Sequence, residues 1–93
     1  MTFAVVSVDS PKPEHREAVL DSMRRSSRVA RRQAGLEWTG VVDDASGRFV
    51  GIAVWESEEA AVAARPALMA EVGDDPFTTW DERPIEGFRG EVH

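Results

Sequence analysis

Residues 49–55 read FVGIAVW, an unbroken run of apolar side chains and one glycine. The run is rich in β-branched and aromatic residues, and its length suits a strand rather than a helix. Successive side chains of a strand point to opposite faces of the sheet. Val50, Ile52 and Val54 therefore lie on one face, and Phe49, Gly51, Ala53 and Trp55 on the other. Neither face carries a polar residue, so both must be covered. This requirement limits the folds open to so short a chain.

The flanking segments supply one cover. TFAVVSV is a second apolar strand, ended by Asp9-Ser10-Pro11. From about Pro13 to Gln33 the pattern is helical, with Val19, Met23, Ala30 and Ala34 in one narrow sector bordered by Leu20, Ser26 and Ser27. Glu14 and Glu17 suit the helix start, and Gly35 is placed as its C′ residue. Leu36 to Val42 and Arg48 to Trp55 form a hairpin around Asp43-Asp44-Ala45-Ser46-Gly47. Ser57 is an N-cap ahead of Glu58, Glu59 and an alanine-rich helix. Pro66 predicts that this helix splits into two segments, since proline removes a backbone donor and crowds the preceding turn. Gly73-Asp74-Asp75-Pro76 stops it, PFTTW is a short turn or helix, and RPIEGFRGEV is a last, edge strand.

The order β-α-β-β-α-β closes as a four-stranded antiparallel sheet with both helices on one face, the ferredoxin-like α+β arrangement, in a single domain spanning residues 1–93. Two helices cover only one side. Leaving Val50, Ile52 and Val54 bare forfeits about 1.5–3 kcal/mol each, a large share of a small domain's stability. A second copy of the same sheet is the simplest cover. The expected state is a homodimer, with Val50, Ile52, Val54 and Trp38 at the interface.

Charge and composition narrow the function. A net charge of −6 excludes general nucleic-acid binding. Residues 22–36 run against that balance, with five arginines and no acid, and are read as a solvated helix face. The chain has no cysteine, which excludes thiolate chemistry and disulfides. The N-terminal MTFAVVSVDS lacks the pattern of a signal peptide, no stretch reaches the length of a membrane span, and the expectation is a cytoplasmic protein. No histidines and carboxylates share a ligand-like spacing, so no metal site is expected.

The step Gln33-Ala34-Gly35-Leu36 into the second strand and the junction WESEEA, Trp55 to Ala60, resemble the antibiotic biosynthesis monooxygenase-like superfamily of dimeric α+β barrels. The resemblance covers nearly the whole chain. It implies cofactor-free oxidation of a small polyphenolic or anthrone-like aromatic to a quinone, with the pocket between sheet and helices and the tryptophan of the third strand in its wall. The same superfamily includes haem-degrading enzymes, quinol oxidases and small proteins of unknown role. Quinone-forming members add an asparagine four residues before that tryptophan, a tyrosine six residues after it and a histidine on the second strand. Those positions here hold Gly51, Ala61 and, roughly, Val41. The positions matching the haem-degrading pattern fall near Ala64 and Asp74, which excludes haem ligation, and no cofactor is expected.

Trp55 thus has two readings, a buried packing residue or the rim of a small hollow floored by Gly51 and Ala53, with Thr39 and Val41 beside it. Met23, Leu68 or Met69 could fill that hollow instead of a ligand. The remaining candidates for proton transfer are His15, in the first turn of the first helix, Thr39 and Arg65. Two functions follow: an oxygenase of small aromatics, or a non-catalytic dimer that binds a small hydrophobic molecule or serves as an accessory protein after losing the polar set.

Overall fold

The computed structural model describes residues 1–93. Four strands, β1 (Phe3–Asp9), β2 (Leu36–Asp43), β3 (Phe49–Trp55) and β4 (Glu86–Glu91), form one antiparallel sheet in the order β2-β3-β1-β4. Two long helices, α1 (Arg16–Ala30) and α2 (Glu58–Val72), pack on one face, and a single-turn helix α3 (Phe77–Trp80) precedes β4. This is the ferredoxin-like α+β fold expected from the element order. No helix is long and apolar enough to cross a membrane.

β3 lies inside the sheet, paired with β1 on one edge and β2 on the other. Register fixes the faces. Trp55 pairs with Phe3 and Leu36, Ala53 with Val5 and Thr39, and Gly51 with Ser7 and Val41, all on the helix side. Val54 pairs with Ala4 and Trp38, Ile52 with Val6 and Gly40, and Val50 with Val8 and Val42, on the open side. A register shift between Leu36 and Trp38 lets both large side chains be used. Residues two apart would otherwise share a face; the shift sends Leu36 to the helices and Trp38 to the open side. The Trp38 ring folds back over Gly40, where an added Cβ would lie 2.8 Å from its Cη2 atom. Trp38 and Phe88 remain 53% and 58% exposed, so the open face has no cover within this chain.

Under the helices the core divides. Phe3, Ala30, Trp55, Ala61 and Ala64 form one cluster, and Val19, Met23 and Phe49 a second. Val19, Met23 and Ala30 are the sector read from periodicity. Ala34 is exposed, because α1 stops at Ala30 and tightens through hydrogen bonds from Arg32 to Val29 and from Gln33 to Ala30. The Gln33 side chain also donates to the Val29 carbonyl, at 3.1 Å. Gly35 is therefore not a C′ residue. It takes φ +87° in the turn into β2, its carbonyl accepts from the Glu56 amide at 2.8 Å, and an added Cβ would meet Ala60 Cβ at 2.7 Å. The two sequence signatures, around Gly35 and around Trp55 to Ala60, are one contact in space.

α2 starts as the sequence predicts, with Ser57 Oγ accepting from the Ala60 amide at 3.1 Å. The expected break at Pro66 does not occur: α2 runs unbroken from Glu58 to Val72. Pro66 and Val62, the residue one turn earlier, are both exposed. The carbonyl freed by the missing N–H thus lies on the water-facing side, where solvent satisfies it.

At the far end of β1, two carboxyls are buried together. Asp9 is 2% exposed and Asp81 5%, and Asp9 Oδ2 and both Asp81 oxygens lack a hydrogen-bond partner of good geometry. The segment after α3 is pinned there by Lys12 N–H to Trp80 O (2.9 Å) and Glu82 N–H to Ser10 O (2.8 Å). Burial foremost, then the neighbouring Asp81 carboxyl, pushes the Asp9 carboxyl up to about 7. The folded state therefore holds a proton that the unfolded chain releases near pH 4, and stability must fall as pH rises from about 4 to about 7. Denaturant titrations should show this loss. Asp9→Asn should flatten it and stabilise the protein at pH 8 by about 1–3 kcal/mol. A pH-independent wild type between 4 and 8 would contradict the buried pair.

Candidate functional site

Between the sheet and the two helices lies a hollow of about 340 Å³, within the range of small-molecule sites, about 300–1,000 Å³. Its sheet wall is made by Val5, Ser7, Thr39, Gly40, Val41, Gly51, Ile52, Ala53 and Trp55, although strand parity sends the Ile52 side chain to the open face. α1 contributes Met23, Ser26, Ser27 and Ala30, and α2 contributes Ala61, Arg65 and Leu68. Arg89 reaches it from β4.

Of the residues singled out in the sequence, the hollow gathers Trp55, Gly51, Ala53, Thr39, Val41 and Arg65. His15 is not among its lining residues; it ends the 3-10 turn Pro13–His15 that leads into α1. Trp38, Val50 and Val54 lie on the open face. The sequence reading missed Val5, Ser7 and Arg89. Their signal was parity, since register sets all three on the helix side with Ala53 and Gly51. Ser26 and Ser27 were visible as the borders of the apolar sector of α1 but were not assigned to a site.

Trp55 is 1% exposed and packs with Phe3, Ala30, Ala61 and Ala64. It is a core residue and a wall of the hollow at once: β3 ends there, and the ring spans from the sheet to the small residues of both helices. The floor differs from the open space that Gly51 implied. Met23 Cε and Ser7 Oγ each lie 2.9 Å from where a Gly51 Cβ would stand, so the methionine tip fills that position. Leu68 lines the hollow, whereas Met69 is exposed and does not enter it.

The polar groups in the wall are already ordered. Thr39 Oγ1 donates to the Ile52 carbonyl at 3.0 Å and lies 3.3 Å from Ser27 Oγ. Thr39 has one proton to give, so Ser27 is the donor of the second bond. The Thr39 proton is thus committed to the backbone. No histidine, carboxylate, lysine or tyrosine lines the hollow, and its only charged residues are Arg65 and Arg89. Guanidinium groups stay protonated in proteins, so neither arginine is a base. The wall presents apolar surface and hydroxyls, but no side chain in it can serve as a general base near neutral pH.

Sheet order, helix placement and this internal hollow define a ferredoxin-like α+β domain with a small-molecule-sized space between its layers. The chain belongs to the antibiotic biosynthesis monooxygenase family, whose model matches residues 1–66. No curated protein matches it. Among solved structures, Rv0793 from Mycobacterium tuberculosis is similar with a TM-score of 0.86 at 18% identity, over 100% of this chain and 96% of its own. A conserved protein from Methanosarcina mazei Go1 gives 0.86 at 11% identity, over 100% and 94%. SnoaB, a cofactor-independent oxygenase from Streptomyces nogalater, gives 0.81 at 15% identity, over 98% and 92%. At these identities the likeness establishes the fold.

The Met23 contact sets the expected response to enlarging Gly51. Gly51→Leu should destabilise the protein by about 1–3 kcal/mol through overpacking. Adding Met23→Ala should recover much of that loss, giving a coupling that thermal or denaturant unfolding of the four variants measures. Strict additivity would show that Met23 does not occupy the floor.

Proposed function

We propose that the hollow beside Trp55 binds a small, electron-rich aromatic molecule and that the protein oxygenates it without a cofactor. The observation that carries this reading is the hollow itself, apolar in most of its wall, closed by a buried tryptophan and placed between sheet and helices. Family membership and the fold shared with a cofactor-independent oxygenase support the reaction class. In such a reaction an anthrone-like substrate loses a proton from its methylene carbon, and the carbanion gives one electron to O₂. Recombination forms the C–O bond of a peroxide, which loses water to leave the carbonyl. One O₂ is consumed and one water is released per turnover.

The empty proton-acceptor position shapes the mechanism. Without a base in the wall, the substrate must be acidic enough to ionise to solvent, and the protein's share is desolvation, orientation and stabilisation of the developing oxyanion by fixed donors. The pH dependence of kcat/KM should therefore follow the pKa of each substrate. Oxygen uptake measured with anthrones and quinols of different acidity checks this. A single profile common to all substrates would place a base in the protein and contradict the mechanism. Ala53→Leu, which projects into the hollow, should abolish uptake with little loss of stability.

The same missing base favours a second reading, in which the protein binds the aromatic and performs no chemistry. Saturable binding of anthrones without oxygen uptake at any pH would decide for it.

In either case the open face of the sheet calls for a cover, and the proposed protein is a homodimer that buries Trp38, Val50, Ile52 and Val54 against a second copy. Light scattering should give twice the 10.3 kDa chain mass. Ile52→Asp should dissociate or unfold it, since an unpaired charge in an apolar interface is costly. An unchanged dimer in that variant would assign the interface elsewhere.

A further inference from the structure

Arg65 and Arg89 face the hollow from opposite layers, one on α2 and one on β4, and no acidic residue lines the space between them. The ion pairs of the chain engage Arg16, Arg25 and Arg48, with His93 beside Glu91; Arg65 and Arg89 take part in none of them. Nor does either guanidinium donate a hydrogen bond to another residue of the chain. Arg89 is nevertheless not loose. Its guanidinium lies 5.5 Å from the centroid of the buried Phe3 ring, within cation–π range, and Phe3 pairs with Trp55 in the sheet. The result is an apolar hollow whose rim carries two guanidiniums with unused donors in a chain of net charge −6.

We infer that the ligand is an aromatic acid: its ring system lies against Trp55 and Leu68, and its carboxylate, or an equivalent fixed anion, meets Arg65 and Arg89. The inference rests on the reading of the hollow as a small-aromatic site and adds the charge of what enters it. Guanidinium is suited to this task because its planar fork matches the two oxygens of a carboxylate. Both arginines are exposed, whereas Gly51 and Thr39 are half-buried, so the acid group is an anchor at the rim, separate from the ring carbons that lie deeper. A substrate with such an anchor enters in one orientation, which a wall made of methyl, methylene and hydroxyl groups does not impose by itself.

Calorimetric titration of the full chain with anthracene-9-carboxylate and with its uncharged amide tests the assignment. The two probes share ring system and size and differ in charge. The acid should bind about tenfold more tightly than the amide at low ionic strength, and high salt should erode the preference. Arg65→Gln and Arg89→Gln should each remove part of it, and the double variant should bind acid and amide alike. Both side chains are exposed, so these variants keep the fold, and Arg65→Lys with Arg89→Lys should restore part of the preference through charge alone. Equal affinities in the wild type, or a preference untouched by the double variant, would overturn the inference while leaving the aromatic site standing. Binding of neither probe would overturn both.

Discussion

β3 is hydrogen-bonded along both edges, to β1 and β2, so its backbone is satisfied within the sheet and only its side chains need cover. Those side chains are apolar on both faces, and this dictates the layers above and below. On one side, α1 and α2 bring Val19, Met23, Ala30, Ala61 and Ala64 against Phe49, Ala53 and Trp55. On the other side no helix covers Val50, Ile52 and Val54, which stay half-buried, while the exposed Trp38 and Phe88 extend the same surface. An apolar sheet face without a cover leaves burial energy unused. The dimer proposed above follows from that deficit.

The position of Trp55 at the end of β3 has a geometric reason. The helices contribute chiefly alanine near it, so a large ring is needed to bridge the layers. Where β3 instead offers Gly51 and Ala53, the helices bring Met23 and Leu68, and their side chains fill part of the gap. What remains is the hollow. The turn at Gly35 closes the same end, because only a residue without a side chain fits against Ala60 while its carbonyl takes the Glu56 amide. The packing that makes the fold also makes the space.

Periodicity and turn chemistry were enough to read the element order, the hairpin, the Ser57 cap and the buried face of α1. They fail where the outcome depends on which groups meet. Pro66 was expected to break α2, but whether a proline breaks a helix depends on whether the freed carbonyl faces water, and here it does. Ser22 was not read as a core residue, yet it is buried with its hydroxyl donating to Asp75 at 2.6 Å, beside the Arg25–Asp75 ion pair. Asp9 looked like a strand-ending residue; its burial against Asp81 joins positions far apart in sequence. In the site, Trp55, Gly51, Ala53, Thr39 and Val41 were legible from strand parity. Met23 over Gly51 and Arg89 at the rim depend on packing and on the pairing of β4, which no local pattern reports.

Fluorescence from the Trp55 ring tests most directly whether the space beside it takes an aromatic guest. Trp38→Phe with Trp80→Phe leaves Trp55 as the sole tryptophan. Its emission should be that of a buried indole and should be quenched, saturably and by energy transfer, as anthracene-9-carboxylate is added. Ala53→Leu in the same background should abolish the quenching. Trp55 emission that the probe leaves unchanged would show that the ring is packing alone and that the hollow admits no such ligand.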